Sequence, residues 1–134
     1  MRKLALLAAG CSLAACAANP SQDDRMAAQQ HLAALLAGKV ADRQVECVPD
    51  YHSSSRTILT PQAIAFEANP GLVYVSSTAG NGCEGIVGSR YSLVTTSHGT
   101  SGICAGDQVQ VRDLQTGLMA GACTLQPFVP YKRP

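Results

Sequence analysis

The sequence predicts a mainly β fold, a small antiparallel sandwich or partly closed barrel with two disulfides, preceded by one N-terminal helix. Three observations carry that expectation. From Val45 onward, short alternating or β-branched stretches are separated by Gly, Pro, Asn and Asp. Four cysteines, Cys47, Cys83, Cys104 and Cys123, are spread through the same region. The one segment with helical periodicity comes before it, between Ser21 and Gly38.

The chain has 134 residues, one domain's worth, of which 46% are apolar but only 4% aromatic, with no Trp. Residues 1–15 contain two basic residues and no acid. The remainder therefore carries eight Lys/Arg against nine Asp/Glu, a net charge of −1. A nucleic-acid-binding surface is not indicated by so balanced a charge. At 14% charged residues, long solvated helices and coiled coils are also disfavoured.

The N-terminus reads as a secretory signal. Met1-Arg2-Lys3 is a positive start, Leu4 to Ala9 opens an apolar stretch that continues through Leu13-Ala14-Ala15, and the chain turns polar at Asn19-Pro20-Ser21. The apolar run, about 15 residues at most, falls short of the roughly 20 that span a bilayer as a helix. Leu13-Ala14-Ala15-Cys16 resembles the bacterial lipobox, which implies a signal peptide over residues 1–15 and Cys16 as the acylated first residue of the mature chain. Residues 16–20 would then form a lipidated tether to the bilayer. Two readings compete: Ala8-Ala9-Gly10-Cys11 is a second small-residue run before a cysteine, and cleavage after an Ala15-Cys16-Ala17 sequence would release a soluble periplasmic protein. Ala17, rather than Asp, behind the acylated cysteine points to the outer membrane under the enterobacterial sorting pattern. One acyl chain such as palmitate holds a protein only marginally, at about 0.8 kcal/mol per buried methylene, whereas two or more anchor it firmly.

Ser21-Gln22-Asp23-Asp24 has the form of a capping box, so a helix begins there. Ala28, Leu32, Leu35 and Leu36 recur at helical spacing, and Gly38 is placed to end it. Residues 21–38 thus form an amphipathic helix that packs on the domain or serves as a spacer. Its polar face is rich in Gln rather than Lys or Arg, which disfavours a membrane-surface helix.

The β domain is expected over residues 45–131. Ala63 to Glu67 and Leu72 to Ser76 flank Asn69-Pro70-Gly71 and form a hairpin, with Ile64 and Phe66 on one face and Tyr74 available opposite. Pro61 ends any strand through Thr57-Ile58-Leu59 or confines it to an edge. Tyr91 to Thr96 is another strand. Asp107 to Arg112 alternates Val109 and Val111 with polar residues, and Leu114-Gln115-Thr116-Gly117 turns the chain into Leu118 to Leu125. Five to seven short strands need two sheets or a closed one to hide their faces and edges.

Four cysteines in an exported chain read as two disulfides. Cys47 with Cys83 and Cys104 with Cys123 is the favoured pairing, because the second bridge would close the base of the last hairpin; cross-pairing stays open. Intervals of 36, 21 and 19 residues contain no C-x-x-C knuckle, so neither structural zinc nor a dithiol redox motif is expected.

Cys47-Val48-Pro49, Ala63-Ile64-Ala65-Phe66, Cys83-Glu84-Gly85, Ile103-Cys104-Ala105-Gly106-Asp107-Gln108-Val109 and Gly121-Ala122-Cys123-Thr124-Leu125, followed by Phe128 and Pro130, occur in an ordered series. That series resembles the small four-cysteine exported proteins and lipoproteins of proteobacteria classed as a domain of unknown function. The resemblance covers Val45 to Tyr131. It implies export and a compact β-rich disulfide domain, and brings no activity, cofactor or catalytic residue.

No coherent catalytic set emerges. Tyr51-His52-Ser53-Ser54-Ser55 and Ser97-His98 place His beside Ser, but neighbours in a loop rarely face each other, and no G-x-S-x-G elbow exists. His31 falls at the edge of the helix stripe. Gly80-Asn81-Gly82-Cys83-Glu84-Gly85 could present backbone amides to an anion, yet it lacks the Lys and following helix of a phosphate loop. Glu84 and Asp107 read as turn residues rather than a carboxylate pair, and Lys132-Arg133 as a solvated end. The expectation is a non-catalytic, lipid-anchored periplasmic protein without cofactor or metal, a binding or structural accessory. Its partners would be the bilayer, through the acylated N-terminus, and an envelope protein, glycan or lipid. The alternatives are a periplasmic inhibitor of a hydrolase such as lysozyme, and an envelope hydrolase using His52 or His98.

Overall fold

The computed structural model describes residues 20–49, 56–88, 90–96 and 102–134. Residues 1–19, with Cys11 and Cys16 and the leader and most of the tether expected there, and the two His-Ser stretches at 51–55 and 97–98 lie outside the described residues.

The chain opens with α1 (Gln22–Leu36). Its start is fixed locally: the Ser21 hydroxyl accepts the Asp24 N–H at 3.1 Å and the Asp24 carboxylate accepts the Ser21 N–H at 3.3 Å, so two donors a helix start leaves orphaned are satisfied reciprocally. Gly38 follows the helix with φ +72°, a conformation that suits glycine. Lys39 donates its N–H to the Leu36 carbonyl at 3.0 Å and its ammonium to the Leu35 carbonyl.

Among the described residues ten antiparallel strands follow, in three sheets. Five form one sheet in the order β1 (Val40–Ala41), β10 (Phe128–Lys132), β5 (Leu72–Ser77), β4 (Ala63–Asn69), β3 (Arg56–Leu59). Three form a second, β6 (Tyr91–Thr96), β8 (Gln108–Asp113), β9 (Met119–Thr124), and β2 (Cys47–Val48) pairs with β7 (Ile103–Cys104) as a short ribbon. The two larger sheets are not closed into a barrel by any strand pairing among the described residues. The sandwich is formed, and the partly closed barrel is not.

The hairpin of β4 and β5 shows why the layers stack as they do. Ile64, Phe66 and Tyr74 face a core shared with Val109 and Val111 of β8, Leu125 and Phe128. Ala65 and Val73 point the other way, under Leu32, Leu35 and Leu36 of α1. The central strands are therefore buried on both faces, and the small Ala65 lets the helix close over the sheet. The two Phe residues meet edge to face, with ring centroids 5.9 Å apart, an arrangement that adds about 0.5–1.5 kcal/mol to their burial.

One expectation is corrected. The disulfides are Cys47–Cys104 and Cys83–Cys123, with Cα separations of 4.0 and 5.6 Å, and not Cys47–Cys83 with Cys104–Cys123. The cause is strand pairing: β2 lies antiparallel to β7 with Cys47 directly opposite Cys104, while Cys123 on β9 faces the turn that carries Cys83. The Lys132-Arg133 end is solvent-exposed, as expected, and its backbone and one ion pair tie it to the sheet. Lys132 pairs with Leu72, its ammonium meets the Asp42 carboxylate at 2.6 Å, and the Arg133 N–H donates to the Gly71 carbonyl at 3.0 Å.

Candidate functional site

The turn from β8 into β9 is built around one carboxylate. Asp113 Oδ1 accepts the N–H of Gln115 at 2.8 Å and of Thr116 at 3.3 Å, and Oδ2 accepts two guanidinium bonds from Arg90 at 2.9 and 2.5 Å. The backbone adds Asp113 N–H to Leu118 O at 2.9 Å, Gly117 N–H to Asp113 O at 2.8 Å and Leu114 N–H to Arg90 O at 2.9 Å. Gly117 supplies the positive φ, +71°, that the tight return requires. The Arg90 guanidinium, and then the two turn amides, hold the Asp113 carboxyl below the usual carboxylate range.

This rigid turn carries unsatisfied apolar surface. Leu114, Leu118 and Met119 are 62%, 69% and 61% exposed. They are three of the six large apolar side chains exposed among the described residues, and they fall within six residues of chain. Large apolar groups clustered on a well-ordered turn mark an interaction site more readily than apolar residues scattered singly. The outer edge of β9 is closed at its far end. The Asn81 side chain donates to the Thr124 carbonyl and accepts the Thr124 N–H, standing in for a neighbouring strand residue.

The other residues singled out from sequence have local, structural roles. The Glu84 carboxylate accepts the Gly82 N–H at 3.0 Å. It is held below the usual range by its own backbone N–H first, then by those of Gly82, Asn81 and Gly80. The glycine-rich turn therefore already encloses an anion, its own. Asp107 is buried and accepts the Cys104 N–H at 2.8 Å, well apart in role from Glu84. His31 is exposed on α1. The four framework cysteines are brought together in pairs, and their two disulfides mark an oxidising, extracytoplasmic compartment. No helix among the described residues is long and apolar enough to cross a membrane.

Sequence reasoning read Leu114 to Gly117 only as a turn. The missed signal was Leu114, Leu118 and Met119 crowding a segment where polar residues are usual. No protein-family model, curated protein or solved structure matches this chain.

Proposed function

We propose that this chain is a lipid-anchored envelope protein facing the periplasm, a non-catalytic binding or structural accessory whose contact surface is the β8–β9 turn. The observation that carries the contact surface is the set of exposed Leu114, Leu118 and Met119 side chains on a turn fixed by Asp113 and Arg90. A preorganised apolar turn loses little conformational entropy when it docks. Leucine and methionine side chains suit an apolar partner surface, and methionine adapts to its shape.

Anchoring rests on the lipobox-like Leu13-Ala14-Ala15-Cys16 behind a basic, apolar leader and accords with the oxidising compartment that two disulfides require. The resemblance to four-cysteine exported domains supports the same compartment.

Two measurements test the reading. Radiolabelled fatty acid is expected in the wild type and in Cys11→Ser but not in Cys16→Ser; equal labelling of both variants contradicts anchoring at Cys16. Chemical crosslinking in intact envelopes is expected to recover one partner reproducibly with the wild type. That partner should be lost from a Leu114→Ser, Leu118→Ser, Met119→Ser variant with an unchanged melting temperature. Recovery indifferent to the triple substitution contradicts the contact surface.

A further inference from the structure

The two disulfides occupy opposite environments. Cys83 and Cys123 are only 2% and 6% exposed and belong to the main core. Cys47 is exposed and Cys104 partly so, because the alternation along β2 and β7 turns Val48 and Ile103 inward and the two cysteines outward. We propose that Cys47–Cys104 is a thiol–disulfide exchange site, opened by a dithiol of the thioredoxin type and able to reclose on the same two sulfurs.

Exchange requires a thiolate to reach a disulfide sulfur in line, so access decides which bridge reacts. The donor's thiolate attacks Sγ of Cys47, a mixed disulfide forms, the Cys47–Cys104 bond breaks, and Cys104 leaves as a thiolate that takes a proton from water. The donor's second thiolate then attacks its own sulfur in the mixed disulfide and releases Cys47, which is protonated in turn. The donor ends as a disulfide, and two electrons and two protons reside on Cys47 and Cys104.

The site can survive this reaction because the ribbon does not depend on its sulfurs. Val48 and Ile103 remain buried in the core. The Ala105 N–H donates to the Glu46 carbonyl at 2.7 Å, and the Cys104 N–H to the Asp107 carboxylate at 2.8 Å. The reduced cysteines therefore stay opposite one another, with their Cα atoms 4.0 Å apart when bridged, and the reverse exchange with the donor's disulfide, which takes back the two electrons and two protons, recloses them.

The test uses the full chain under native conditions, with limiting dithiothreitol, alkylation and peptide mapping. Cys47 and Cys104 should be alkylated about tenfold or more faster than Cys83 and Cys123, as access to the attacking thiolate dictates. A thioredoxin-type protein whose resolving cysteine is replaced by Ser should be trapped as a mixed disulfide on Cys47. Opening of both bridges together, earlier opening of Cys83–Cys123, no trapped adduct, or an adduct on another of the four cysteines overturns the proposal.

Discussion

Ser76 and Thr78 are both fully buried hydroxyl residues, and their surroundings make opposite predictions. The Ser76 hydroxyl donates to the Gln126 carbonyl and accepts the Gln126 N–H, both at 2.9 Å, clamping the chain just ahead of β10. Ser76→Ala removes two part-buried hydrogen bonds, each worth about 0.5–1.5 kcal/mol, a loss that urea unfolding should show. The Thr78 hydroxyl has no hydrogen-bond partner among the described residues. Thr78→Val keeps the shape and removes a polar group, so stability should stay level or rise by about 1 kcal/mol. At Asp113 the reasoning concerns pH. Its folded-state pKa is depressed, so its stabilisation of the turn is complete above the unfolded carboxylate pKa, about 3.9, and disappears as pH falls through the lower folded value. Protection of the Gln115 and Thr116 amides from exchange, relative to an unstructured chain at the same pH, should hold through neutral and mildly acidic pH and fall away as pH drops through that window. Asp113→Ala should lower that protection at every pH.

The turn over residues 80–85 and strand β9 behave as one element. A Cβ on Gly82 would lie 2.3 Å from the Ala122 carbonyl oxygen, at a backbone φ of +89°. Gly82→Ala must therefore push the turn off the edge of β9, with a loss of about 1–3 kcal/mol by overpacking, measurable by urea unfolding. The capped helix, the β4–β5 hairpin, β6 and the β8–β9 hairpin were legible because their periodicity or turn chemistry is local. Phe66 does lie opposite Tyr74, and Tyr91 to Thr96 is a strand throughout. By contrast β1, β2 and β7 are two residues long, too short to show a period. In β10, Pro130 masks the pattern. Its carbonyl accepts the Asp42 N–H at 2.7 Å, so its missing N–H lies on the side where β1 ends, and no bond to β5 is lost. Disulfide pairing was illegible for the same reason, since it follows from the pairing of β2 with β7. The exposed Leu and Met residues stood in plain sight, but only a folded turn shows that they stay uncovered.

For the whole molecule, the question is which staple matters more. Chain entropy favours Cys47–Cys104, which spans 57 residues against 40 for Cys83–Cys123, but by only about 0.3 kcal/mol in the loop-closure model. Removing Cys83 and Cys123 also empties sulfur volume from the core, a larger loss of about 1–2 kcal/mol. Cys83→Ala with Cys123→Ala should therefore destabilise more than Cys47→Ala with Cys104→Ala, as chemical unfolding can show. What emerges is a helix-backed sandwich with one internal staple, one surface bridge and one apolar turn left uncovered. The most direct test of that turn as the contact surface is a photoreactive residue at Leu118 in intact cells, compared with the same residue at Gln22 on the exposed start of α1. A discrete adduct from Leu118 alone, abolished when Leu114 and Met119 are changed to Ser, is the predicted result. Equal adducts from both positions, or none from Leu118, would contradict it.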